Sequence, residues 1–96
     1  GIAKYPAVTR DLSLVVPHEV LAGQIEEIFD QRGGNILESY QLFDIYEGAQ
    51  IEKGFKSMAY SLVFRAHDKT LGENEISAVM KKIMNGLNGL GIELRS

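Results

Sequence analysis

The chain has 96 residues, enough for one domain with a modest core, and its 45% apolar and 24% charged residues suit a folded protein and not a disordered one. It contains no cysteine, which excludes disulfides, thiolate metal sites and thiol catalysis. The net charge of -3 argues against strong non-specific nucleic-acid binding, which draws on basic surface, so any such role needs a local patch or help from other domains.

The chain opens on Gly1-Ile2-Ala3-Lys4-Tyr5, with no basic-then-apolar signal pattern and no initiator Met, and reads as one domain excised from a longer chain. No apolar run approaches the ~20 residues of a membrane span, so no membrane partner is expected, and a reducing cytoplasm suits the cysteine-free composition. Asp11 to Val16 alternates in period two until Pro17, predicting a strand with Leu12, Leu14 and Val16 buried. Leu21, Ile25, Ile28, Phe29 and Arg32 follow at helical spacing, and Gly33-Gly34 closes that helix. Ile36 to Tyr46 is a long extended stretch, and the polar loop from Glu47 to Gly54 leads into a second one from Phe55 to Arg65. There Met58, Tyr60, Leu62 and Phe64 share one face, and Ser57, Ala59, Ser61, Val63 and Arg65 the other.

A turn at His67-Asp68-Lys69-Thr70 precedes the clearest helix, with Ile76, Val79, Met80, Ile83, Met84 and Leu87 in one stripe. Gly89 and Gly91 end it, and Ile92-Glu93-Leu94 forms a short last strand. The order β-α-β-β-α-β predicts an α+β, ferredoxin-like fold: a four-stranded antiparallel sheet with both helices on one face and the other face open. A parallel sheet fits less well, because a hairpin loop joins the two central strands.

Asp44 and Tyr46 are two apart on one strand and so share a face. If the hairpin pairs symmetrically about its loop, Tyr46 faces Ser57 and Asp44 faces Ala59. A ring, a carboxylate and a hydroxyl would then gather over small residues. That set suits an unpaired nucleobase: the ring stacks, and the carboxylate accepts the N–H donors of a guanine edge. Plain packing for the ring and solvation for the carboxylate are the alternative.

Enzymatic patterns are absent from the sequence. His18 and His67 are single and lie at element ends, a poor basis for a metal site. Glu26-Glu27 are neighbours on a helix, and Glu73 and Glu75 belong to a first turn where carboxylates favour the dipole. No G-x-G-x-x-G or P-loop exists, and the segment after the first strand lacks the arginine of an acylphosphatase cradle. No catalytic residue and no metal ligand is therefore expected.

Several stretches together resemble a known family. They are Tyr5-Pro6-Ala7-Val8-Thr9-Arg10-Asp11-Leu12, Leu37-Glu38-Ser39, Leu42-Phe43-Asp44-Ile45-Tyr46, Lys56-Ser57-Met58-Ala59-Tyr60, Leu62-Val63-Phe64-Arg65 and Lys69-Thr70-Leu71. In this order and spacing, from Lys4 to Arg95, the chain resembles the ferredoxin-fold anticodon-binding domain at the C-terminus of the bacterial phenylalanine–tRNA ligase β chain. The resemblance implies that Tyr46 stacks on the first anticodon base, a guanine, that Asp44 bonds it, and that Ser57 adds a polar contact. It implies tRNA-Phe, the other β-subunit domains and an α subunit of an α2β2 enzyme as partners. It also implies ATP and magnesium as cofactors of the parent and none in this domain.

Charge adds Lys4, Arg10, Lys53, Lys56 and Arg65 as candidate phosphate neighbours. Where the family has Ser or Thr capping the second helix, this chain has Gly72, with a Thr70–Glu73 capping box as an alternative. Two other readings share the element order. One is an amino-acid-sensing regulatory module, supported only by Gly23 after the first strand. The other is a protein–protein module.

Overall fold

A computed structural model of the chain describes residues 5–95. Six elements follow in the expected order: β1 (Val8–Pro17), α1 (Ala22–Arg32), β2 (Leu37–Tyr46), β3 (Phe55–Phe64), α2 (Glu73–Asn88) and β4 (Glu93–Leu94). The strands form one antiparallel sheet in the order β2-β3-β1-β4, the ferredoxin-like arrangement. β1 begins earlier than its alternation suggests, because Val8, Thr9 and Arg10 pair with Phe64, Val63 and Leu62 of β3.

One face of the sheet is the core. Leu12, Leu14 and Val16 of β1 and Met58, Tyr60, Leu62 and Phe64 of β3 are buried there against Ile25 and Phe29 of α1 and Ile76, Ile83 and Leu87 of α2. Burying each large side chain contributes roughly 1.5–3 kcal/mol before entropy is counted. The Phe29 ring lies 4.9 Å from the Tyr60 ring, edge-on at 84°, and 5.1 Å from the Tyr40 ring. Offset and edge-on pairs of this kind avoid the repulsion of stacked ring faces.

The helices pack closely where Gly86 of α2 meets α1. A Cβ on Gly86 would stand 2.8 Å from Ile28 Cγ2 and 2.8 Å from Arg32 Nε. Arg32 Nη1 donates to the Lys82 carbonyl at 3.2 Å across the same seam.

The helix starts differ from the expectations in two places. Leu21 is the N-cap of α1 with extended backbone, and it is 66% exposed instead of buried in the helix stripe. Its N–H donates to Gln24 Oε1 at 2.8 Å. At α2, Gly72 is the N-cap and its N–H donates to Glu75 Oε1 at 3.3 Å, so the cap uses Glu75 in place of a Thr70–Glu73 box. Glu73 instead pairs with Arg10. Among the described residues, no helix is long and apolar enough to cross a membrane.

β2 carries two irregularities against β3, one between Leu37 and Ser39 and one between Leu42 and Asp44. The second decides which side two of the candidate residues occupy. Tyr40 and Leu42 lie opposite Leu62 and Tyr60, on the helix side. An unbroken alternation would send Asp44 and Tyr46 to that side as well. The extra residue, Phe43, resets the phase, and Asp44 and Tyr46 emerge on the open side.

Candidate nucleic-acid interface

The long hairpin of β2 and β3 sets the geometry. Its register places Tyr46 opposite Ser57 and Asp44 opposite Ala59, as a hairpin symmetric about its loop requires. Ser57 lies beside Val15, and Val15 beside Glu93, so one row crosses all four strands on the open face: Tyr46, Ser57, Val15, Glu93. The next row holds Asp44, Ala59 and Ser13. The floor between the functional groups is thus built of small side chains.

Tyr46 is 38% exposed and Asp44 is exposed. Ser57 differs from its expected role as an open hydroxyl: it is only 3% exposed. Arg95 explains this. Its backbone N–H donates to the Ser13 carbonyl at 2.8 Å, extending the β4 edge by one residue, and its Nη1 donates to Ser57 Oγ at 3.3 Å. A ligand on this face meets the guanidinium of Arg95 before it meets the Ser57 hydroxyl. Sequence reasoning missed Arg95 because nothing local marks a residue after a two-residue strand as part of a site. Only the sheet order brings it beside Ser57. Next to this row, Val15, Glu52, Phe55, Gly91 and Glu93 line a hollow of about 170 Å³.

The other basic candidates do not gather here. Arg10 pairs with Glu73 in the first turn of α2. Arg65 sits 3.1 Å from Glu38 and donates to the Tyr5 carbonyl at 2.9 Å. It follows β3 at the far end, roughly 26 Å along the chain from Ser57 at strand spacing. Lys56 lies opposite Val16, on the helix side of the sheet and not on the open face. Lys53 is exposed in the hairpin loop, at the right end of the molecule. Lys4 lies outside the described residues. Among the described residues, Arg95 beside Ser57 and Lys53 in the loop are the candidate cations at the hairpin end that do not lie on the helix side.

The loop between β2 and β3 is ordered by its own bonds. Ile51 N–H donates to the Gly48 carbonyl at 3.0 Å, and Phe55 N–H to the Glu52 carbonyl at 3.1 Å. Ile51 is buried in an otherwise exposed loop. His18 N–H donates to the Gly54 carbonyl at 2.8 Å, and His18 Nε2 lies 3.1 Å from Glu47 Oε1, tying the loop to the β1–α1 turn.

Two tyrosines elsewhere have perturbed acidity, and both belong to the helix side. Burial and the Glu26 carboxylate, which accepts from its hydroxyl at 2.9 Å, push the Tyr60 phenol well up. A hydrogen bond to Asp30, at 2.7 Å, and burial raise Tyr40 from 10.0 to about 12. Both keep the phenol neutral and join helix to sheet. Lys69 and Glu75, 2.7 Å apart, hold each other charged, Lys69 shifted up and Glu75 down by their mutual hydrogen bond. Among the described residues, no three His, Cys, Asp or Glu side chains stand together as a metal site. Gly23, the only support for a small-molecule loop after β1, lies within α1.

Comparison with known proteins places the chain in a family. The family model of the ferredoxin-fold anticodon binding domain matches residues 3–95. The chain is 50% identical over 96 residues to the phenylalanine–tRNA ligase beta subunit of Clostridium tetani, covering 99% of this chain and 12% of that protein. It is 41% identical over 95 residues to the same subunit of Symbiobacterium thermophilum, covering 99% and 11%, and 41% identical over 87 residues to that of Bacillus subtilis, covering 91% and 11%. The chain thus spans about an eighth or less of the length of these relatives. Among solved structures, Arabidopsis thaliana MSL1 aligns with a TM-score of 0.57 at 16% identity, over 98% of this chain and 35% of that one, a likeness of fold alone. From strand order, element lengths and the match across nearly all its residues, the chain belongs to the ferredoxin-fold anticodon binding domain family.

Proposed function

We propose that this chain is the anticodon-reading domain of a phenylalanine–tRNA ligase β subunit and reads the first anticodon base of tRNA-Phe on its open sheet face. The observation that carries the reading is the bulge at Phe43, which turns Tyr46 and Asp44 away from the core and sets Tyr46 opposite Ser57, the residue whose hydroxyl Arg95 bonds. Tyr46 is the stacking platform, with a contribution of about 1–3 kcal/mol per base. Asp44 accepts the N–H donors of a guanine edge, which no other base presents in the same pair. Arg95, held on Ser57, and Lys53 in the hairpin loop meet the adjacent backbone. Ser57 acts chiefly by holding Arg95.

The domain does no chemistry in this reading. ATP and magnesium are bound by other parts of the parent enzyme, an α2β2 assembly of the cytoplasm, and those parts hold most of the tRNA. The test is titration of the chain with an anticodon stem-loop and, separately, with phenylalanine, followed by NMR. Shifts centred on Tyr46, Asp44 and Arg95 on RNA addition are expected. Shifts with the amino acid alone would replace this reading with the regulatory-module one. With few cations at the site, affinity measured at two salt concentrations should show a shallow slope.

A further inference from the structure

Three glycines of the described residues have positive φ: Gly34 at 62°, Gly54 at 92° and Gly91 at 80°. At those positions the backbone itself favours glycine. Gly48, next to the proposed stacking residue, is not among them. Its backbone suits any residue, so conformational freedom does not account for a glycine there. Space does. A Cβ on Gly48 would overlap Tyr46 Oη, and would stand 2.7 Å from Tyr46 Cζ and 3.2 Å from Cε1. The phenol of Tyr46 folds back over the loop and rests on the bare Cα of Gly48.

That seat is itself anchored. The Gly48 carbonyl accepts from Ile51 N–H at 3.0 Å, and the Ile51 side chain is buried. The far end of the loop is fixed by His18 N–H on the Gly54 carbonyl. A ring held this way has already lost part of the rotamer freedom that stacking would otherwise remove.

Resting on the functional reading above, we propose that Gly48 is a positioning residue for base stacking: the loop Glu47–Gly54, pinned by Ile51, is a preformed seat that fixes the orientation of the Tyr46 ring. The atoms in the way of a Gly48 side chain are the far end of a mobile side chain. Substitution there therefore moves the ring and spares the fold.

The experiment compares Gly48→Ala with Gly54→Ala in the whole chain. For Gly48→Ala, the Tyr46 ring resonances of the free protein shift, the melting temperature stays within about 2 °C, and affinity for an anticodon stem-loop falls by about five- to tenfold, less than the full stacking loss. Gly54→Ala does the reverse in kind: it strains a positive-φ position and lowers the melting temperature. Tyr46→Phe removes Oη, the atom that a Gly48 side chain overlaps most, and leaves the closer ring carbon, so Gly48→Ala costs less affinity in that background than in the native one, though still some. Unchanged Tyr46 ring resonances in Gly48→Ala, or equal affinity losses in the two backgrounds, would overturn the seat. A Tyr46→Ala variant with undiminished RNA affinity would instead remove the functional reading, while the ring resonances of the free protein still decide the seat.

Discussion

The two faces of the sheet are made by the same strands and answer to different demands. On the helix side, β1 and β3 present Leu12, Leu14, Val16, Met58, Tyr60, Leu62 and Phe64, each almost fully buried. On the open side, the same strands present Ser13, Val15, Ser57, Ala59 and Ser61, and the aromatic ring set opposite Ser57 is that of Tyr46. The closed face is specified by volume, so its residues are large and mutually dependent. The open face is specified by what it leaves room for, so its residues are small and its few functional groups stand at one end. Stability should therefore live on one face and recognition on the other.

That separation can be broken by experiment. The largest effect is expected for Phe29→Ala on the closed face. It empties the contact with the Tyr60 and Tyr40 rings and should cost about 3–5 kcal/mol in urea unfolding, a large part of a small domain's stability. Tyr46→Ala on the open face should weaken stem-loop binding by about 1–3 kcal/mol with little change in the unfolding midpoint. A collapse of stability in that variant would make Tyr46 a packing residue and merge the two faces.

Gly86→Ala tests the helix layer. The better helix propensity of alanine favours it by about 1 kcal/mol, while the crowding against Ile28 and Arg32 opposes it by about 1–3 kcal/mol. A net loss of stability is expected, with RNA affinity unaltered. Gain of stability would show that the helices can part at no cost.

The smallest effect is in pH. Tyr40 and Tyr60 hold their protons more tightly folded than unfolded. Their contribution is complete below the unfolded value of 10.0 and is lost as pH rises through the folded values, about 12 for Tyr40. Unfolding midpoints should be flat in pH below that of a free phenol and fall above it. Tyr40→Phe should reduce the fall, at a cost of about 1 kcal/mol for the lost Asp30 bond. A midpoint that stays level into strong alkali would mean that neither phenol is held by its carboxylate.

The buried stripes of β1, β3 and α2 were legible because periodicity is a local signal. Leu21 misled because the last residue before a helix fits the helical spacing without joining the helix. The basic residues misled for another reason: charge can be counted in a sequence, but whether Arg10 meets Glu73, or Arg65 meets Glu38, depends on elements far apart in the chain.

By itself the sequence determined the element order, the closed face and the placement of Tyr46 and Ser57 around one hairpin loop. Alternating or helical spacing and a glycine-bounded loop act through neighbours in the chain, so no tertiary contact is needed to read them. Tertiary structure decided which side of the sheet Asp44 and Tyr46 occupy, because the bulge at Phe43 exists only as a mismatch between two strands. It also decided that Arg95 covers Ser57 and that the Tyr46 ring rests on Gly48. Each is a meeting of groups whose proximity is set by strand pairing or by the fold of a loop, and pairing partners are not written in the local pattern of either one.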